Sequence, residues 1–334
     1  MVIFTTPEFY PILYRLRKNG SLPSYFILDY KTPLEMPPIA SLVSTFEQQH
    51  QTDPERQSNY LSWLENLFSF CQSPMVIFTT PEFYPILYRL RKNGSLPSYF
   101  ILDYKTPLEM PPIASLVSTF EQQHQTDPER AYHSVDLYAV WCAKSFMLNR
   151  TVELNPFHTV FFLYMDAGAF RLPKYRFQAW PDVSTLSNIL NTNRFLLGMI
   201  ARLPNRFCSS KYQITDGPIK IDLIEGTFMG GSIDTVRWWT SAYYEIINDY
   251  RVRKFFIGKD QYIMNTIALV YSTRINVLLP FRISCDNVWF AFGPLFASKP
   301  ERKNLSFSHD CQEQKLSEIV IPFDKICANI ENIS

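Results

Sequence analysis

Apolar and polar positions alternate along the chain with periods that predict helices and strands in turn. Helical spacing of leucines predicts a helix within 59–71. A short β-rich run predicts a strand at 75–80, and a proline-started, glycine-stopped segment predicts a helix within 81–94. A second strand is predicted at 98–104. The pattern is typical of an α/β protein.

The second half of the chain continues this alternation. Residues 134–155 have helical spacing with Ser134 as the N-cap, and the nearly continuous apolar run 159–165 predicts a strand buried on both faces. A strand, a glycine-rich turn at Gly230-Gly231 and a helix capped by Ser232 follow. We therefore predict an α/β fold with a mixed, mainly parallel central sheet flanked by helices.

The first 56 residues are repeated without change at positions 75–130. Solenoid repeats recur at least three times and diverge, so two identical copies indicate a recent duplication or a misassembled reading frame. We expect segment 1–56 to be peripheral and surplus, and 57–334 to form the functional domain. Strand 75–80 should then lie beside strand 159–165 or one strand away from it.

Composition excludes several functional classes. The chain has 334 residues, 46% of them hydrophobic, and a formal net charge of +1, so no basic stripe for nucleic acid is expected. No apolar run approaches the roughly 20 residues of a membrane span, and no targeting signal is present at the start. A displaced N-terminus would leave the lumen of the secretory pathway open as a location. The six cysteines lack metal-site spacing, which argues against zinc.

Candidate chemistry is concentrated at the ends of predicted strands and at helix starts. Asp166 ends the buried strand, where parallel sheets bind ligands, although a turn cap is an equal alternative. Gly230 and Gly231 could bring backbone N–H groups up to a sugar or phosphate, or simply form a turn. Asp260 precedes a helix and could be an ordinary N-cap.

Three segments in this order resemble a known family. They are LYAVWCAKSFML…NPFHTVFFLYMDAGAFR, EGTFMGGSIDTVRWW and FFIGKDQYIMN. Together they resemble the HtrL/YibB-like family of the nucleotide-diphospho-sugar glycosyltransferase (type A) superfamily, over roughly 57–334. The resemblance implies a type A-like fold, a nucleotide-sugar donor and a glycan or lipid-linked acceptor.

The resemblance also implies roles for particular residues. Type A enzymes usually hold Mn²⁺ or Mg²⁺ with an Asp-x-Asp pair, and here Asp166 would be the metal ligand and donor contact, with glycine at the second position. Further metal ligands could come from Asp260, Asp286 or His309. The remaining implied roles are catalysis at the donor sugar for Asp260 and Gln261, and donor binding for Lys144, Arg171, Gly230 and Gly231.

Two functions follow as hypotheses. The first is metal-assisted transfer of a sugar from a nucleotide sugar, in which metal binds appreciably only together with the donor. The second is an inactive or truncated glycosyltransferase-like protein that only binds a glycan or a protein partner. The first strand of type A folds helps to form the nucleotide pocket, and the expected family strand is missing before residue 57, which favours the second hypothesis.

Overall fold

The computed structural model describes residues 41–43, 62–209, 212–279, 289–303 and 320–330. Among these residues one sheet has eight strands in the order β3-β2-β1-β4-β6-β5-β7-β8. The strands are β1 Ser41–Val43, β2 Met75–Phe78, β3 Ser98–Ile101, β4 Phe161–Met165, β5 Phe195–Met199, β6 Ile224–Ser232, β7 Ile275–Leu278 and β8 Val320–Pro322.

The sheet is mixed, as predicted, and four of its seven described strand pairings are parallel. Strands β3, β2, β1 and β4 pair in parallel, as do β5 and β7. Strand β6 runs antiparallel to both neighbours, β4 and β5, and β8 is antiparallel to β7. Because β6 reverses direction, its first residues lie beside the carboxyl end of β4.

Strand β1 comes from the first copy of the repeat and lies inside the sheet. Leu42 is in register with Met75 of β2 and with Leu163 of β4. We expected 1–56 to lie at the periphery, so this short piece is placed differently, and the rest of 1–56 lies outside the described residues. Strand β2 is one strand away from β4, within the predicted range.

Helices cover both faces of the sheet. The described helices are α1 62–68, α2 Tyr84–Leu90, α3 Pro111–Ala114, α4 Val117–Thr126, α5 Val135–Leu154, α6 Val183–Leu190, α7 Arg206–Ser209, α8 Ile233–Val252, α9 Asp260–Val270, α10 Phe292–Leu295, α11 Lys299–Lys303 and α12 Ile326–Ile330. Strand β4 shows why two layers form: Phe162 and Tyr164 pack with one core, and Leu163 and Met165 pack with the other. This period of two buries both faces of the strand.

Capping fixes the long helices as the sequence predicts. Ser134 lies just before α5, and its hydroxyl accepts a hydrogen bond from the N–H of Leu137 at 3.1 Å. Ser232 plays the same part for α8. A disulfide between Cys208 of α7 and Cys327 of α12 joins two segments 119 positions apart. In the described ranges we find no helix with the length and apolar character that a membrane crossing requires.

Candidate functional site

Asp166 follows the last residue of β4 at the carboxyl edge of the sheet. Its backbone N–H donates to the carbonyl of Thr227 in β6 at 2.9 Å. Its side chain is buried, and Oδ1 accepts a hydrogen bond from the Tyr164 hydroxyl at 2.6 Å. The carboxylate is therefore held by the strand that carries it and by the neighbouring strand.

Lys144 reaches this carboxylate from the buried face of α5. Its Nζ lies 3.9 Å from Asp166 Oδ1 and 2.8 Å from Asp260 Oδ2. The ammonium also donates to the carbonyl of Gly226 at 2.8 Å. The structure thus brings together Asp166, Lys144 and Asp260, which we call the carboxylate–lysine cluster.

Asp260 is the first residue of α9, one position after the N-cap residue Lys259, so it is not the N-cap that the sequence allowed. Its Oδ1 accepts from the N–H of Gln261 at 2.8 Å. Its Oδ2 forms an ion pair with Lys144 Nζ at 2.8 Å. The angles at this contact do not meet hydrogen-bond geometry. The amide of Gln261 donates to the carbonyl of Ile224 at 2.8 Å, so this predicted catalytic side chain holds the start of β6.

Gly226 leaves the space that the cluster fills. A Cβ at this position would lie 2.6 Å from Asp260 Oδ2 and 3.0 Å from Lys144 Nζ. The register between β5 and β6 shifts at this point, since Leu197 pairs with Met229 whereas Met199 pairs with Ile224. Beside this register shift the Gly226 carbonyl accepts from Lys144, while the Thr227 carbonyl accepts from the N–H of Asp166 on the β4 side.

The predicted turn at Gly230-Gly231 is wrong. Both residues belong to β6 and pair with Leu163 and Phe162, near the amino end of β4. Gly231 is four strand positions from the level of Asp166, about 13 Å away at about 3.3 Å per residue. A Cβ on Gly230 would lie 2.4 Å from the Phe162 carbonyl oxygen. The glycine pair permits close strand pairing, so it is not at the cluster.

Arg171 lies five residues beyond Asp166 and is exposed. Its guanidinium stacks on the rings of Trp63 at 4.6 Å and Phe290 at 4.1 Å, and its Nε donates to the carbonyl of Gly168 at 3.2 Å. Stacking fixes the plane of the guanidinium. Arg171 is therefore a pre-positioned positive charge on the same loop as Asp166.

Glu225 is a fully buried carboxyl that sequence reasoning missed. Its Oε1 has no hydrogen-bond partner among the described residues, and its Oε2 accepts from the Thr227 hydroxyl. Burial raises the pKa of Glu225 well above its usual range; the charge of Asp166 raises it further, while Thr227 and Lys144 act in the opposite direction. A Cβ on Gly198 would lie 1.9 Å from Oε1, so this carboxyl occupies the place of the missing side chain.

A second group of acidic side chains could hold a metal ion. Ligand atoms of Asp127, Glu129 and His133 lie within 4.8 Å of one another. The group already has internal partners: His133 Nδ1 is 2.8 Å from Asp127 Oδ2, which also accepts from the Tyr138 hydroxyl. Two carboxylates and an imidazole are nevertheless a donor set that suits a divalent cation.

The carboxylate–lysine cluster does not fit the predicted metal. Mn²⁺ and Mg²⁺ need about six oxygen ligands at about 2.0–2.2 Å. In the cluster an ammonium already lies between the two carboxylates. Asp286 and His309, the other metal candidates, lie outside the described residues.

Comparisons with known proteins find structural neighbours at low identity. No protein-family model and no curated protein match the chain. Among solved structures, mouse xyloside xylosyltransferase 1 in its apo form is similar at 11% identity, over 69% of this chain and 81% of that one, with a TM-score of 0.36. Core-mannan synthase A from Aspergillus fumigatus, in a Mn/GDP form, is similar at 10% identity, over 75% and 74%, with a TM-score of 0.44. By name, one neighbour is a xylosyltransferase and the other a mannan synthase. The HtrL/YibB-like resemblance stays a prediction.

Proposed function

We propose that the chain is a glycosyltransferase-type protein that binds a nucleotide sugar at the carboxyl edge of β4. The observation that supports this most is the meeting of Asp166, Lys144 and Asp260 at that edge, from three elements far apart in sequence. A turn cap or an N-cap needs no such convergence, because capping is a local interaction. Ligand sites in α/β sheets lie at this edge.

The substrate class follows from the chemistry of these groups. Buried carboxylates accept hydrogen bonds from sugar hydroxyls, and a fixed guanidinium suits the oxygens of a diphosphate. We assign the sugar of the donor to Asp166 and Asp260, and its diphosphate to Arg171. Lys144 holds the two carboxylates in place.

The proposed reaction is transfer of the sugar to a hydroxyl of a glycan or lipid-linked acceptor. The acceptor oxygen forms a bond to the anomeric carbon while the bond from that carbon to the diphosphate breaks. The nucleoside diphosphate leaves with the bonding electron pair, and the hydroxyl proton passes to water or to the leaving diphosphate. Carboxylate charge beside the sugar stabilises the positive charge that develops there.

Mn²⁺ or Mg²⁺ assistance at Asp166 is not carried into this proposal, because among the described residues the ammonium of Lys144 lies against both carboxylates. Gly230 and Gly231 are not carried into it either, since they lie near the other end of β4. Gln261 remains a candidate that acts through the position of Asp260, its neighbour on α9.

A second function is favoured by one specific observation. The exposed fractions of Lys144 and Asp260 are only 2% and 3%, and their charges satisfy one another. A purely structural ion-pair network would show the same features. The chain would then be a glycosyltransferase-like protein that binds a glycan or a protein partner without turnover.

Release of nucleoside diphosphate separates the two functions. The purified protein is incubated with UDP- and GDP-sugars, with and without glycan acceptors, and free UDP or GDP is measured. We expect turnover with at least one donor, and loss of one charged hydrogen bond in Asp260→Asn should lower kcat/KM by about 10- to 150-fold. Asp249→Asn, which removes a partly exposed surface pair with Arg253, is the matched control. Absence of turnover with every donor would favour the binding function.

A further inference from the structure

The space between Asp166 and Asp260 is occupied by a side chain of the protein itself. Lys144 Nζ lies 2.8 Å from Asp260 Oδ2 and 3.9 Å from Asp166 Oδ1. A divalent ion that bridged the two carboxylates would need this position. The ammonium and such an ion exclude one another, both by volume and by charge.

The position of Lys144 is fixed by its surroundings. The residue is on the buried face of α5 with 2% of its surface exposed, and the Gly226 carbonyl accepts one of its protons at 2.8 Å. Tyr164 adds its ring face at 5.7 Å from Nζ. Opposite the ammonium, the backbone of Gly226 lacks the Cβ that would crowd it. Movement of the lysine out of the cluster would therefore break an ion pair and a buried hydrogen bond together.

The formal charges of the cluster also indicate that Lys144 takes the place of a metal ion. Asp166 and Asp260 contribute two negative charges, and Lys144 cancels one of them. Without the lysine, the two buried carboxylates would lose the cation that both contact, an arrangement that strongly favours another bound cation. The exposed Arg171 on the loop after β4 supplies a further positive charge at the same edge.

We propose that Lys144 is the resident cation of the Asp166–Asp260 pair, in the place where a type A glycosyltransferase-like site would hold Mn²⁺ or Mg²⁺. The pair then binds a divalent cation only when the lysine is removed. The absence of a divalent ion from this pair is inferred from the geometry of the cluster. The consequence that a nucleotide-sugar donor binds here without a divalent ion rests on the function proposed above.

Mn²⁺ binding to the protein, followed by electron paramagnetic resonance of the free ion, tests the proposal without any substrate. Wild type and Asp260→Asn should bind the same number of Mn²⁺ ions. Glu129→Gln identifies any ion held by the separate group of Asp127, Glu129 and His133. A wild-type ion that Asp260→Asn releases while Glu129→Gln retains it would overturn the proposal.

Removal of the lysine gives the complementary result. Lys144→Ala should bind one more Mn²⁺ per chain than wild type, and Asp260→Asn in that background should remove it. Arg253→Ala, which uncovers the single surface carboxylate of Asp249, should gain no ion. A folded Lys144→Ala protein that gains no Mn²⁺ would contradict the proposal. Where Lys144→Ala fails to fold, Lys144→Gln replaces the ammonium by a neutral polar group of slightly shorter reach. The comparison of wild type with Asp260→Asn also decides without any substitution of the lysine.

Failure of the proposed function is distinguishable from failure of this inference. Titration with UDP and GDP in the presence of EDTA measures donor binding separately. Absence of nucleotide binding together with the expected Mn²⁺ results would reject the donor site and leave Lys144 as the resident cation. A different result would reject the inference about Lys144 and leave the donor site. In that result, EDTA abolishes nucleotide binding, and Mn²⁺ restores it in wild type but not in Asp166→Asn.

Discussion

Substitution of Arg91 tests which copy of the repeat carries the fold. Arg91 is fully buried, and its guanidinium donates to the carbonyls of Phe68, Cys71, Ser73 and Pro97 and to the hydroxyl of Ser98. Phe68, Cys71 and Ser73 belong to the stretch between the two copies. The network of Arg91 is therefore specific to the second copy. Arg17, its counterpart in the first copy, has the same neighbours in sequence for at least ten residues on either side.

The magnitude follows from the hydrogen bonds. Pro97 keeps one partner in Arg91→Met, because its carbonyl also accepts from the N–H of Met75 at 3.1 Å. The other carbonyls lose the bond from Arg91, at about 1–3 kcal/mol for each buried group left unpaired. Part of this loss is offset because the variant no longer buries a guanidinium, and that burial lowers the pKa of Arg91 to about 10. We expect Arg91→Met to lower the free energy of unfolding by about 3–5 kcal/mol.

Arg17→Met is the matched control, made in an identical local sequence. If the first copy is surplus apart from strand β1, Arg17→Met should change the free energy of unfolding by no more than about 0.5 kcal/mol, as for surface substitutions. The assay is urea unfolding followed by circular dichroism and by tryptophan fluorescence. Equal destabilisation by the two variants would refute the reasoning, because each copy would then supply a buried arginine of equal value.

Three further predictions concern the cluster, the disulfide and the buried acid. Gly226→Ala places a Cβ 2.6 Å from Asp260 Oδ2, so nucleotide affinity measured by calorimetry should fall while circular dichroism shows a retained fold; unchanged affinity would place the donor elsewhere. Cys208→Ser opens the loop closed by the bond to Cys327, and should lower the free energy of unfolding by about 2–5 kcal/mol in urea titrations, whereas an unchanged midpoint would deny that bond a stabilising role. Burial raises the pKa of Glu225, so in the folded protein its carboxyl keeps a proton that the unfolded chain releases. The free energy of unfolding of wild type, relative to that of Glu225→Gln, should therefore fall as pH rises from about 4.5. Parallel pH profiles of the two free energies would contradict this.

The sequence predicted the strands and helix starts that are determined by residues close together in the chain. The apolar run at 159–165 becomes β4, and Asp166 follows it at the carboxyl edge as predicted. Ser134 and Ser232 cap α5 and α8 because an N-cap needs only a hydroxyl and N–H groups two or three residues further on. The helix that begins at Asp260 is also present.

Features that depend on distant neighbours were not predictable in the same way. A Gly-Gly pair such as Gly230-Gly231 is typical of a turn. In the structure Gly230 instead packs against the backbone of Phe162 on the neighbouring strand β4. The antiparallel direction of β6 likewise depends on which strands it joins. The same three letters, Ser-Leu-Val, form strand β1 at 41–43 and span the start of helix α4 at 115–117, so tertiary context overrides propensity.

In the candidate site, too, individual residues were predictable from the sequence, whereas their contacts with distant residues were not. Sequence identified Asp166, Asp260 and Lys144 as candidates one by one, but not that Lys144 lies between the two carboxylates. Glu225 gave no signal, because an acidic residue at the start of a strand is ordinarily exposed. Its burial depends on the missing side chain of Gly198 in β5, and no pattern within β6 reveals that neighbour.

Equilibrium binding of nucleotide sugars tests the central claim most directly. Calorimetric titration of wild type, Asp260→Asn and Asp249→Asn with a panel of UDP- and GDP-sugars compares the cluster with a surface carboxylate. At least one donor should bind at one site per chain, Asp260→Asn should weaken its binding about 10- to 150-fold, and Asp249→Asn should leave it unchanged. Donor binding that is equally tight in all three proteins would contradict the account, as would the absence of binding by every member of the panel.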